Sequence, residues 1–124
     1  MEFINKIELQ GITSEHKALT ARIEDKVFNH RFQVRTERHY TNRSGEPTID
    51  ITWFNVVVIP GTGSIPADWE PRTNAPVHIV GRLQYISPRY DHLPDINDGR
   101  FSDQIVPLSV LADRIEFLDE KKEG

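Results

Sequence analysis

Trp53 and Phe54 stand side by side in Ile51-Thr52-Trp53-Phe54-Asn55-Val56-Val57-Val58-Ile59-Pro60, the most apolar run of the chain. Neighbouring side chains on a strand point to opposite faces, so the two rings cannot share one core. Phe54, Val56 and Val58 fall on one face, and Trp53, Asn55, Val57 and Ile59 on the other. Two roles are open to the indole. It can cover the rim of a barrel, as large aromatics do when buried for their area. Exposed, it can stack on a flat π-system, and on a nucleobase that contributes roughly 1–3 kcal/mol whatever the base.

Cations stand close by. Residues 29–45 hold Arg31, Arg35, Arg38 and Arg43 against Glu37 alone, a local balance of +3 in a chain of formal charge −4, and Tyr40 is interleaved with them. A long polar stretch further on repeats the theme with Tyr85, Arg89, Tyr90, Arg100 and Phe101. Guanidinium groups beside rings suit phosphate contacts next to base stacking. The bland alternative is an ordinary solvated surface. The mild net charge argues against a surface that coats nucleic acid wholesale, yet permits a local basic groove, because ligands respond to the field of a patch.

Other chemistries find less support. The chain has no cysteine, which removes disulfides, thiolate metal sites and cysteine nucleophiles. Asp91, His92, Asp95 and Asp98 match no EF-hand or zinc spacing and read as a solvated acidic loop. The histidines form no Ser-His-Asp arrangement, and Gly61-Thr62-Gly63 lacks the rest of any phosphate-cradling fingerprint. No enzyme activity, cofactor, metal or small-molecule substrate is therefore expected. The chain has no signal-like N-terminal stretch and nothing near the ~18–20 apolar residues of a membrane span, so a cytoplasmic protein is expected.

The elements that must position these residues follow a period of two. At 124 residues one domain is expected. Phe3, Ile7 and Leu9 alternate with Lys6, Glu8 and Gln10 in an opening strand that ends at Gly11. Residues 18–23 read as a short strand or a connector. Alternation returns from Val27 to Tyr40, residues 41–47 are dense in turn formers, and Ile49–Ile59 is the Trp53 strand. Pro60, Pro66, Pro71 and Pro76 leave room for one helical turn at most. Val77–Ile86 is a strand in which Gly81 marks a bulge or a sharp bend. Residues 101–117 read as a strand kinked at Pro107, although Ser109–Leu118 also fits a helix. The sum is an all-β, five-stranded Greek-key barrel with long hairpin loops and little helix.

The order of these segments resembles that of the bacterial-type single-stranded DNA-binding proteins, an OB-fold family. "NKIELQG" (5–11) is similar to the family's opening Asn-Lys-(Val/Ile)-x-Leu-x-Gly strand, and "FQVRTERHY" (32–40) to its second strand. "TWFNVVVI" (52–59) resembles Glu-Trp-(His/Phe)-x-Val-Val-x-(Phe/Trp), "VHIVGRLQY" (77–85) resembles Val-x-(Val/Ile)-x-Gly-x-Leu, and "ADRIEFLD" (112–119) looks like the closing strand. The resemblance implies an OB-fold domain over residues 1–118, followed by a short solvated tail over 119–124. It also implies sequence-tolerant binding of single-stranded DNA in replication, recombination or repair.

By position, Trp53 and Tyr40 fall on base-stacking aromatics of the family, Ile59 stands where a third would be, and Asn55 where a basic residue is common. Arg35, Arg38 and Arg43 would meet phosphates, with Tyr85, Arg89 and Tyr90 extending the track. Asn5, Ile7 and Leu9 become candidates for contact in a homodimer or homotetramer. The helix between the third and fourth family strands is reduced to the proline-rich segment. The acidic tip by which the family recruits replication and repair proteins has no counterpart in residues 119–124. Two other readings stay open: an OB-fold protein-interaction module, primosomal or mobile-element accessory, with weak nucleic-acid binding, and an RNA-binding OB domain.

Overall fold

The structure, a computed structural model, describes residues 3–85 and 108–118. Six strands make up the described chain: β1 (Ile7–Thr13), β2 (Leu19–Ile23), β3 (Lys26–Thr41), β4 (Pro47–Val58), β5 (Pro76–Tyr85) and β6 (Leu108–Phe117). They form one sheet in the order β1-β5-β6-β4-β3-β2, with a further pairing of β1 to β3. That pairing, Ile12 with Arg35 and Thr13 with Val34, closes five of the strands into a ring. β2 lies outside the ring as a short hairpin partner of the first half of β3. Every pairing is antiparallel except β4 with β6, where Val56 meets Val110 and Val57 meets Leu111. This is the expected all-β, five-stranded OB barrel. No helix among the described residues is long and apolar enough to cross a membrane.

The interior follows from strand parity. Leu9, Val34, Val56, Val58, Val77, Ile79, Val110 and Ala112 form one buried cluster, and Phe54 packs against it from β4. β-Branched side chains suit this pleated, enclosed surface. The connection between β4 and β5 is turns and irregular chain, without a helix. It plugs one end of the barrel with Ile65, which is buried in the core, and with Trp69. The Trp69 ring stacks on Phe32 at 6.0 Å and on Phe117 at 5.9 Å between centroids.

Several expectations shift. β1 begins at Ile7, and Phe3 is 89% exposed rather than inward-facing. The cause lies at Asn5. Its side-chain amide donates to the carbonyl of Leu83 (2.9 Å) and accepts from the Leu83 amide (3.0 Å), standing in for a backbone pairing just before β1 starts. Residues 19–23 are a strand, and residues 108–117 are a strand and not a helix. Gly81 does interrupt the β5–β6 register, which slips between Val80 and Gly81. A Cβ at Gly81 would fall on the Leu111 carbonyl oxygen, so the two backbones meet too closely for a side chain. Gly81→Ala is expected to destabilise the fold by about 1–3 kcal/mol, the usual cost of overpacking, read as a lower urea midpoint.

His30 is 4% exposed, beside the barrel plug. Its Nδ1 shares a hydrogen bond with the Thr20 hydroxyl at 2.9 Å, and its ring lies 5.6 Å from Trp69. Burial holds its pKa below the ordinary histidine value, despite opposing effects from the Glu70 carboxylate and the Trp69 backbone. The unfolded chain therefore binds a proton at His30 that the folded chain refuses. The resulting stability is complete above about pH 6.5 and is lost as pH falls through the lowered folded value. Urea midpoints at pH 7.5 and pH 5 should differ more for the wild type than for His30→Gln.

Candidate nucleic-acid interface

The β3–β4 hairpin determines which side chains meet. Its turn is a three-residue loop, Arg43-Ser44-Gly45, in which the Gly45 amide donates to the Asn42 carbonyl (3.0 Å) and the Asn42 amide to the Glu46 carbonyl (2.9 Å). Gly45 has φ 82°, the left-handed residue that such a loop requires. The Asn42 side-chain oxygen accepts from the Ser44 and Glu46 amides and locks the loop. The register follows: Thr41 opposite Pro47, Tyr40 opposite Thr48, Arg38 opposite Asp50, and Arg35 opposite Trp53. Residues directly opposite one another share a face.

One face carries Trp53 with Arg35, Asn55 with Gln33, Ile51 with Glu37, and Ile49 with His39. Trp53 is 48% exposed, so its indole is an outward surface while Phe54 turns to the core, the division that parity gives. The Gln33 amide donates to the Asn55 side-chain oxygen at 3.2 Å. Arg35 and His39 both turn to the Glu37 carboxylate between them, at 3.5 and 3.2 Å. A groove of about 380 Å³ opens beside Trp53, lined by Gln33, Arg35, Asn74 and residues 12–16, the end of β1 and the chain just after it. Its far wall is pinned by Thr13: the hydroxyl donates to the Arg72 carbonyl (2.7 Å) and accepts from the Ala75 amide (3.0 Å).

Tyr40, Arg38 and Asp50 occupy the opposite face of the hairpin. The Arg38 guanidinium lies 4.3 Å from the Tyr40 ring centroid and 3.1 Å from the Asp50 carboxylate. The Tyr40 hydroxyl reaches the same carboxylate at 3.5 Å. The two aromatics singled out in the sequence are thus not brought to one surface. Arg43 is exposed in the hairpin loop, and Ile59 is half-buried just beyond β4. Tyr85 ends β5, while Arg89, Tyr90 and the acidic loop around Asp91 lie outside the described residues. Leu9 is in the barrel core, Ile7 packs against it, and Asn5 is engaged with Leu83. The outward side chains of β1 are instead Glu8, Gln10 and Ile12, with Glu8 bonded to His78 at 2.6 Å, a contact that holds the Glu8 carboxyl below its ordinary pKa.

Sequence reasoning missed Gln33, Ile49, Ile51, Glu37 and the groove wall at Ser14 and Asn74. The first four could have been found by counting outward from Trp53 in twos, once the hairpin register was known. The groove wall had no such signal, because it is brought together by the barrel's closure.

No family model matches the sequence, and no curated protein matches it. Solved structures do. The Plasmodium falciparum SSB in complex with ssDNA aligns over 96% of this chain and 98% of that one, at 18% identity and a TM-score of 0.66. A small single-stranded DNA-binding protein from Streptomyces coelicolor aligns over 94% and 95%, at 17% identity and 0.54. The dimeric N-terminal domain of PriB from Thermoanaerobacter tencongensis aligns over 94% and 98%, at 12% identity and 0.51. At these identities the likeness speaks for architecture: across nearly its whole length the chain shares the OB fold of these single-stranded DNA-binding and PriB proteins.

Proposed function

We propose that the chain is a non-enzymatic binder of single-stranded DNA, tolerant of sequence, acting in replication, recombination or repair in the cytoplasm. The observation that carries this reading is Trp53: an indole half exposed beside a groove, paired across the hairpin with Arg35, on a barrel of the fold just described. Trp53 stacks a base, Arg35 meets the adjoining phosphate, and Asn55 and Gln33 offer amides beside them. Tyr40 and Arg38 provide a second contact as the strand crosses the hairpin, with Arg43 at its tip. Ile59, Tyr85, Arg89 and Tyr90 continue the track. Residues 1–118 are the binding unit and 119–124 a tail. A homodimer or homotetramer fits the likeness to a dimeric PriB domain, with Glu8 and Gln10, rather than Ile7 and Leu9, facing the second copy. Replication or repair proteins would be its partners.

The competing reading is a protein-interaction module, and one observation favours it: the Glu37 carboxylate occupies the space between Arg35 and His39. Titration of intrinsic fluorescence in a Trp69→Phe background, with oligo-dT, oligo-rU and duplex DNA, separates the two. Quenching by dT, and a loss of roughly 1–3 kcal/mol in Trp53→Ala, support single-strand binding. No dT binding at ~50 mM salt, where electrostatic affinity is strong, would sink it. Preference for rU over dT would move the assignment to RNA.

Glu37 gives a second check. It competes with phosphate for Arg35, so Glu37→Gln should tighten dT binding about twofold to fivefold, the scale of an exposed ion pair. It should also steepen the dependence of log affinity on log salt by up to about one unit, as one more cation is freed for phosphate.

A further inference from the structure

β2 stands at the end of the sheet, paired with β3 on one side and with no described strand on the other. Neither a proline nor a bulge guards that edge. The irregularity between Ala21 and Arg22 lies in β3, whose register steps from Asn29 to Val27 against them. Leu19 is 73% exposed at the start of β2, on the face that it shares with Ala21 and Ile23. The free backbone groups of the edge follow from the turn. Glu24 and Asp25, both at positive φ, make a two-residue hairpin loop, so the flanking Ile23 and Lys26 are a hydrogen-bonded pair. Hydrogen bonding alternates from there along the strand, which leaves the N–H and C=O groups of Thr20 and Arg22 pointing away from β3.

We propose that β2 is a docking edge for a second copy of this chain, joined by an antiparallel pairing of β2 with β2 whose two-fold axis passes through Ala21. The order of residues along the edge selects both the occupant and the register. In that register Thr20 exchanges backbone hydrogen bonds with the partner's Arg22, and Leu19 packs beside the partner's Ile23. Lys17 comes opposite the partner's Asp25. Each contact occurs twice, as two-fold symmetry requires. With the axis at Arg22, two guanidinium groups would stand directly opposite each other, a destabilising arrangement. With the axis at Thr20, Glu15 would meet the partner's Asp25, and Leu19 would lose the partner's Ile23. The strand is thus complementary to itself at one register, which a second copy requires and a foreign peptide does not. The contact is separate from any through β1 and is independent of the single-strand reading of Trp53. With only five residues in β2, it belongs to the weak, transient class of interface.

The test joins cross-linking to solution mass. The chain has no cysteine, so a single introduced thiol reports its own neighbour. With oxidised glutathione, Ala21→Cys should give a covalent dimer, because residue 21 lies on the axis, within disulfide reach of its copy. Leu19→Cys and Ile23→Cys should not. Each thiol would stand about 14 Å along the strand from its copy, at about 3.4 Å per residue, beyond the roughly 7 Å that a disulfide bridges. The mass of the wild type should rise between about 0.01 and 1 mM, the range in which weak interfaces fill. Arg22→Pro removes a donor that β3 does not use, once in each copy, and should weaken the association about tenfold. Ala21→Lys keeps every backbone donor but sets two ammonium groups face to face, and should weaken it about threefold to fivefold. A wild type of constant mass over this range overturns the pairing. So does equal cross-linking of the three cysteine variants, the mark of random collision. A rise in mass that Arg22→Pro and Ala21→Lys both leave unchanged overturns it too, and assigns self-association to another surface, such as the outward face of β1. None of these outcomes depends on dT binding, so this pairing and the single-strand reading fail separately.

Discussion

The closing of β1 onto β3 is the constraint on which the rest depends. β1 must pair with β5 along most of its length and also reach β3 at Ile12 and Thr13. It does so only because Gly11 has no side chain: a Cβ there would fall on the carbonyl oxygen of Arg35. The contact that closes the barrel is therefore the backbone of the residue whose side chain stands beside Trp53. Closure and site share one position. Beyond Arg35, from Thr36 to Thr41, β3 has β4 as its only partner among the described strands. The hairpin arm thus begins where the barrel ends, and the indole stands at that border.

The barrel's two ends divide the labour. At one end Trp69, Phe32, Phe117 and buried His30 form a closed aromatic plug, reinforced by Arg72, whose guanidinium lies 4.8 Å from the Phe117 ring. The same segment that supplies the plug returns past β1, where the Asn74 amide donates to the Ser14 carbonyl at 3.1 Å. Through Thr13 and Ser14 it becomes the wall of the groove opposite Trp53. A helix is not needed for this work. The wall is fixed instead through one threonine, whose hydroxyl bonds both the Arg72 carbonyl and the Ala75 amide.

Much of this architecture was legible in the residues. The alternation of β3 and β4, the turn at 41–47, the slip at Gly81 and the opposite fates of Trp53 and Phe54 all follow from side-chain size and a period of two. What was hidden needed information from a second segment. β2 has no glycine or asparagine to announce its hairpin; Glu24 and Asp25 turn it with φ of 53° and 68°, a conformation that longer side chains seldom adopt. Phe3 kept the alternating pattern, but Asn5 ends the strand by using its own amide. Tyr40 and Trp53 looked like partners because each matched a stacking position. Their relative face depends on the parity of the loop between them: one more residue in the turn, taken up by the register, would have put both rings on the same side.

The arm also has to survive its own exposure. A two-stranded ribbon with a half-exposed Ile-Ile-Trp row presents apolar surface and, near its tip, free backbone groups on both edges, which invites pairing with other chains. The ribbon carries the usual protections. Pro47 removes a donor at the start of β4, Asp50 and Arg38 cover one face as an ion pair, and Arg35, Glu37 and His39 line the other. These charges flank the isoleucines and leave them uncovered. The guard against strand pairing is thus electrostatic, set along the flanks of the ribbon, and the apolar row lies outside it.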